Sequence, residues 1–172
     1  MNLSALYCIS YGLYIVGSLK EGKFNGQIAN TVFQVTSEPV QIAICLNKQN
    51  LTYEYVKQSG FFSLSVLGQD TPMPFIGTFG FKSGRNIEKF KDVRFRTGKT
   101  GVPVVLDHTL AYMECEVTGE FRDAGSHDLI VGRLVDADIL AQGEPMTYTY
   151  YHQVKKGLSP KTAPTYINTG KT

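Results

Sequence analysis

Three short stretches carry residues whose types and spacing could do chemistry. In Leu46-Asn47-Lys48-Gln49-Asn50-Leu51-Thr52 an apolar strand-like run gives way to a helix-like one, with Asn50 as the natural N-cap. Free N–H groups at a helix start, together with the helix dipole, favour an anion. Lys48 adds a positive charge, and Asn47, Asn50 and Thr52 add hydrogen-bond donors, so the stretch suits a phosphate monoester. In Gln27-Ile28-Ala29-Asn30-Thr31, small and amide side chains share a strand-like segment. A small side chain lets a flat ring lie against backbone, and amides can bond its polar edge. Gly125-Ser126-His127 opens another strand-like run, where a turn can leave the imidazole open to solvent. There it could meet a nicotinamide carboxamide or a dinucleotide phosphate. Taken singly, each stretch has a commoner, purely structural reading: a capped loop, a strand with a polar outer face, and an exposed turn histidine.

Other chemistries find no residues to support them. No GxGxxG follows a strand, and there is no Walker loop, no GxSxG elbow and no HExxH. His108, His127 and His152 lack metal-ligand spacing, so no metal site is expected and no side chain is assigned as a catalytic acid or base. Cys8, Cys45 and Cys115 form no CxxC pair and are expected as small buried hydrophobes, which fits a reducing cytoplasm. The formal charge of +2, from 17 basic and 15 acidic side chains, is too balanced for a nucleic-acid binder. Met1 to Tyr11 has neither a basic n-region nor a long apolar core, so no signal peptide and no membrane span is expected.

The elements that must position these residues are mostly strands. Residues 3–9 suit a short helix, 11–19 a strand, 20–26 a turn, and 27–36 and 40–46 two strands broken at Glu38-Pro39. A helix over 51–58 stops at Gly60, and 61–67 is a strand. Residues 71–81 suit a short helix after Pro72, and 82–90 a polar loop. Strands are expected at 93–96, 102–106, 110–122 and 127–140, the last two joined as a hairpin through Asp123 to Ser126. Many strands with few short helices predict a mainly β protein, a closed or nearly closed antiparallel barrel. One domain over 1–166 is expected, followed by a mobile tail at 167–172. The 10 Phe and 10 Tyr, several of them in 75–81 and 146–151, suggest exposed apolar patches and a homodimer.

Longer stretches carry a family resemblance. They are ISYGLYIV at 9–16, NGQIANTVFQVTSEPVQIAICLNKQN at 25–50, TPMPFIGTFGFKSGR at 71–85, KTGVPVV at 99–105, GSHDLIVGRLVDADIL at 125–140 and YYHQVKKGLSPKTAPTY at 150–166. On these the chain resembles the flavin reductase-like FMN-binding split-barrel family, in the branch of archaeal ferric reductase, flavoredoxin and the reductase module of high-molecular-weight rubredoxin.

That resemblance implies a Greek-key split β-barrel that dimerises, with an FMN near the dimer interface in each half. It places the flavin ring against Gln27, Ile28, Ala29, Asn30 and Thr31. Ribityl and phosphate fall on Cys45, Leu46, Asn47, Lys48, Asn50 and Thr52, and His127 lies on the donor side. The implied activity is hydride transfer from NAD(P)H to FMN, with electrons passed to a ferric chelate, free flavin or a redox protein. The sequence has no CxxC pair, so any rubredoxin is expected as a separate partner. Two other readings stay open: an FMN-binding electron carrier without donor turnover, and a pyridoxamine phosphate oxidase-like protein on a related barrel.

Overall fold

The structure is a computed structural model that describes residues 1–166, apart from the Ser4 side chain. The expected mobile tail at 167–172 lies outside the described residues. After a 3₁₀ turn at Leu3–Cys8, strand β1 (Tyr14–Lys20) turns at Glu21 and Gly22, both at positive φ, into β2 (Lys23–Ala29). The turn expected over 20–26 is therefore two residues long, because both adopt the left-handed conformation that closes a hairpin tightly. β3 (Val32–Ser37) and β4 (Val40–Asn47) follow, then helix α1 (Leu51–Ser59), closed by Gly60, and β5 (Phe61–Leu67). Helix α2 (Met73–Gly80) starts after Pro72, as expected. β6 (Phe95–Thr97) and β7 (Pro103–Val105) form a small separate hairpin. β8 (Thr109–Val117), β9 (Arg122–Ala124), β10 (His127–Ile139) and helix α3 (Tyr148–Gln153) complete the chain.

Two expected strands are divided. The run at 110–122 is split into β8 and β9, with Gly119 between them at a φ of 77°. The run at 27–36 is divided at Asn30 and Thr31, and this break sets the shape of the molecule. The antiparallel sheet runs β2-β1-β5-β8-β10-β4-β3, so β2 and β3 are its opposite edges although consecutive in the chain. A flat sheet of that order would hold its edge strands about 29 Å apart. The step from Ala29 to Val32 spans at most about 11 Å. The sheet must therefore roll until its edges approach, and it does so without closing: β2 and β3 exchange no ladder hydrogen bonds. The result is a split barrel with its seam at Asn30–Thr31. β10 is long enough to serve three neighbours, pairing with β4 through residues 127–133, with β9 through 127–129 and with β8 through 132–139, and a bulge between Leu134 and Asp136 bends it.

Period-two alternation sends residues to two cores. Val16, Ile42, Ile44, Phe62, Leu64 and Ile130 fill the barrel with α1 over one end. Ile15, Leu67, Ile76, Phe79, Phe90 and Tyr151 pack a second core between the sheet's outer face and α2, α3 and the loop after α2. The aromatic stretches 75–81 and 146–151 are largely used up in this second core, so they are not the exposed patch expected of them. The exposed apolar edge is instead β3, where Phe33 and Val35 are 49% and 44% exposed. Among the described residues, no helix is long and apolar enough to cross a membrane.

Candidate functional site

A cavity of about 330 Å³ lies along β2 at the seam of the barrel. Its back wall is β2 and the neighbouring end of β4. Of the residues expected at a ligand, Gln27, Ile28, Ala29, Asn30, Cys45, Asn47, Asn50 and Thr52 all line it. Alternation explains the gap among them: Cys45 and Asn47 face the cavity, while Leu46 between them is fully buried in the barrel core. Thr31 also lies off the cavity; its hydroxyl donates to Asn30 Oδ1 at 3.2 Å and its carbonyl accepts from Cys45 N.

One end of the cavity is the start of α1. The Asn47 carboxamide oxygen accepts from Gln49 N at 2.9 Å, which turns the chain into the helix. Asn50 occupies the N-cap, but its side chain makes no capping hydrogen bond. Asn25 Nδ2 donates to Thr52 Oγ1 at 2.8 Å, so the Thr52 hydroxyl proton is left to donate elsewhere. Facing this end are Lys82, Ser83, Gly84 and Arg85 from the loop after α2. Arg85 bonds the Glu54 carboxylate and reaches the Gln49 carbonyl at 3.4 Å, which fastens the loop to the first turn of α1. A Cβ on Gly84 would collide with Asn25 Oδ1, so glycine lets the loop close on β2.

Lys48 lies elsewhere. Its ammonium is 2.9 Å from Asp123 and 3.3 Å from Asp128, away from the cavity lining, and those carboxylates, Asp123 foremost, raise its pKa. Asp128 also accepts from the Tyr53 hydroxyl at 2.7 Å; burial, then this bond, pushes that phenol up to about 12. Lys48 thus ties the start of α1 to the β9–β10 hairpin. The basic groups that do line the cavity are Lys82, Arg85 and Lys89, none of them singled out by type or spacing. A signal was present in the sequence: Lys82-Ser83-Gly84-Arg85 is a small-residue loop with two cations, a composition that suits an anion. Lys89 gave no signal at all. Its ammonium is buried and donates to the carbonyls of Gly26 at 2.8 Å and Phe79 at 3.2 Å, and burial brings its pKa down to about 8.

Ile28, Ile76 and Phe79 give the cavity apolar lining, and Gln27, which also lines it, carries an unsatisfied polar atom. Gln27 Oε1 is buried and has no hydrogen-bond partner among the described residues. A buried acceptor left bare is costly, so a ligand donor is the natural partner. The front wall is formed by Tyr148 and Tyr151 of α3 and by Leu158, Pro160, Thr162, Ala163 and Pro164 of the segment after it. His127 lies behind that segment. It is only 9% exposed, not open to solvent: Nδ1 meets Ser126 Oγ at 2.9 Å and Nε2 meets the Thr162 carbonyl at 3.0 Å.

A flavin fits these groups: Gln27 Oε1 lacks the donor that a ring N–H supplies, and the α1 start is prepared for a phosphate. Comparison with known proteins points the same way. The chain is 54% identical over 167 residues to a ferric-chelate reductase (NAD(P)H) of Archaeoglobus fulgidus, covering 97% of this chain and 98% of that protein. It is 51% identical over 166 residues to a high molecular weight rubredoxin of Moorella thermoacetica, covering 96% of this chain and 72% of that one. A putative flavin reductase from Haemophilus somnus superposes with a TM-score of 0.75 at 23% identity, covering 84% of this chain and 90% of that one, a likeness of fold. The family profile described as "Flavin reductase like domain" matches residues 6–159, and the chain belongs to that family.

Proposed function

We propose that this chain is an FMN-dependent oxidoreductase that takes a hydride from NAD(P)H and hands the electrons to an acceptor. The observation that carries the reading is the pairing, along one face of β2, of an anion-ready helix start with a buried acceptor that lacks a donor. Asn25 touches Thr52 at the helix start, and Gln27 follows two residues, about 7 Å, further along the same face. A single phosphate end and a volume near the low end of the roughly 300–1,000 Å³ usual for ligand pockets favour FMN over FAD.

When bound, FMN supplies the redox chemistry, accepting a hydride and releasing electrons. The chain's residues bind and orient. The α1 N–H groups, Asn50, the Thr52 hydroxyl and Arg85 would hold the phosphate. Gln27 Oε1 would accept from the ring, Ile28 and Phe79 would offer it apolar surface, and Lys89 keeps a titratable positive charge at the wall. Segment 158–164 excludes water from the front. The relatives' names point to the acceptor class, a ferric chelate or a rubredoxin. The exposed edge β3 supports a homodimer paired through that strand. The experiment is anaerobic. Protein loaded with flavin is mixed with NADH or NADPH, and the flavin absorbance is followed. Bleaching by either donor is expected; persistent colour with both would leave a carrier rather than an enzyme.

A further inference from the structure

Two segments outside helices and strands wall the cavity, and they are held very differently. The loop at 81–89 is fastened by the buried Lys89 ammonium, by Arg85 on α1 and by the close seat of Gly84 on Asn25. The segment 158–166 forms no ladder with the sheet. Its root is fixed: Lys156 turns the chain at a φ of 58°, and Gly157 sits so close to the Tyr151 ring that a Cβ would collide with it. Tyr151 Oη donates to the Leu158 carbonyl at 3.0 Å, and Ser159 bonds Tyr148. Beyond that root, three hydrogen bonds hold it: the Thr165 hydroxyl donates to Tyr148 Oη of α3 at 2.9 Å, and two more reach the barrel. His127 Nε2 meets the Thr162 carbonyl at 3.0 Å, and Asn30 Nδ2 donates to Thr165 Oγ1 at 2.7 Å. Leu158 is 73% exposed and Tyr166 38%, so little apolar burial adds to these bonds.

The Thr162 contact also defines the chemistry that can replace it. A carbonyl only accepts, so His127 Nε2 carries the proton and donates to a peptide oxygen. A primary carboxamide presents the same acceptor, and its NH₂ supplies donors as well.

We propose that residues 158–166 form a displaceable strap, and that the Thr162 carbonyl stands in for the nicotinamide carboxamide of the incoming donor. The donor gains the front of the cavity by exchanging its own amide oxygen for the strap's on His127, and Asn30 is released from Thr165 in the same movement. His127 is then a positioning residue for two alternative partners, the strap when closed and the donor when open. The apparent donor affinity is the intrinsic one reduced by the fraction of open molecules. This inference rests on the reading of the chain as an NAD(P)H-dependent flavoprotein.

The test uses the full flavin-loaded chain and a redox-inert donor analogue, 1,4,5,6-tetrahydro-NADH. Hydrogen exchange of the peptide covering 158–166 is measured with and without it, and the analogue is titrated against the native chain, Thr165→Val and Thr165→Ser. Thr165→Val removes the bonds to Asn30 and Tyr148, and Thr165 itself does not line the cavity. It should speed exchange of the strap without ligand and tighten the analogue roughly five- to tenfold. Thr165→Ser should restore the native values, and the analogue should accelerate strap exchange in the native chain. Exchange that the analogue slows or leaves unchanged, or a looser strap that binds the analogue no tighter, would overturn the strap. Failure of NADH and NADPH to bleach the native flavin would overturn the functional reading instead, and the exchange result separates the two.

Discussion

At the scale of single residues, the two cations near the start of α1 are proposed to have opposite jobs. Lys48 was the expected phosphate ligand; both cations bond carboxylates, Lys48 those of Asp123 and Asp128 and Arg85 that of Glu54, but Arg85 lines the cavity and Lys48 does not. Arg85→Ala should weaken FMN about ten- to a hundredfold, as loss of a charge-assisted bond does, and leave riboflavin binding near native. Lys48→Ala should weaken FMN little and lower stability, because it leaves the buried Asp128 carboxylate short of its cation. Parallel titrations with FMN and riboflavin, with urea denaturation, separate the two roles; a phosphate-specific loss in Lys48→Ala would reverse the assignment. Lys89 makes a second prediction. Its folded pKa, about 8, lies below the ordinary 10.5, so between those values the unfolded chain holds a proton that the folded one has released. Stability from this group therefore rises with pH through that window, by on the order of 3 kcal/mol in full. Lys89→Met should abolish that rise, which thermal melts of both proteins from pH 7 to 10 would read. An equal rise in both would show that Lys89 titrates normally.

At the scale of elements, the strands legible in the sequence were those with ordinary punctuation. The run at 61–67 is β5 to the residue, and α1 lies between Asn50 and Gly60 as its cap residues require. What escaped was set by tertiary contacts. The polar pair Asn30–Thr31 looks like strand interior and is the barrel's seam. α3 carries β-formers in a six-residue helix whose Tyr148 and Tyr151 serve the cavity and the strap. The loop cations gave no periodic signal, so the cavity's back wall was readable and its other walls were not. The start of α1 is itself open to test. A lost N-cap usually costs about 1 kcal/mol. Here the Asn50 side chain makes no cap bond and faces the cavity, so Asn50→Ala should change flavin-free stability by no more than about 0.5 kcal/mol while FMN affinity falls several-fold. Thermal melts of the flavin-free protein and FMN titration would check this; a large loss of stability with unchanged affinity would make Asn50 an ordinary cap.

At the scale of the whole molecule, strand composition made a barrel legible. That the sheet rolls until its edges approach follows from a two-residue crossing between them, which no composition announces. The split leaves β3 as an edge with five of its six residues exposed, Phe33 and Val35 among them. An apolar edge of this kind invites another strand, and natural edges that must stay single usually carry charges instead. Val135, Ile139 and Leu140 in and after the outer half of β10 add exposed apolar surface, at 40%, 70% and 38%. The native chain should therefore sediment as two chains at micromolar concentration, with little dependence on salt, since the contact is apolar. In a two-fold dimer each substitution counts twice. Replacing a Phe buried at such a contact forfeits about 1.5–3 kcal/mol per copy, so Phe33→Glu should raise the dissociation constant by roughly a hundred- to ten-thousandfold. Arg122→Glu, on exposed β9, changes charge at a surface strand away from β3 and should leave the mass at two chains. The monomer made by Phe33→Glu then answers a further question. The cavity described above has a back wall, two ends and a front wall within one chain, so the monomer should keep FMN at near-native affinity. Loss of FMN together with dimerisation would mean that the partner completes the site, as the family resemblance implies. A Phe33→Glu chain that still sediments as two would move the interface off β3 altogether.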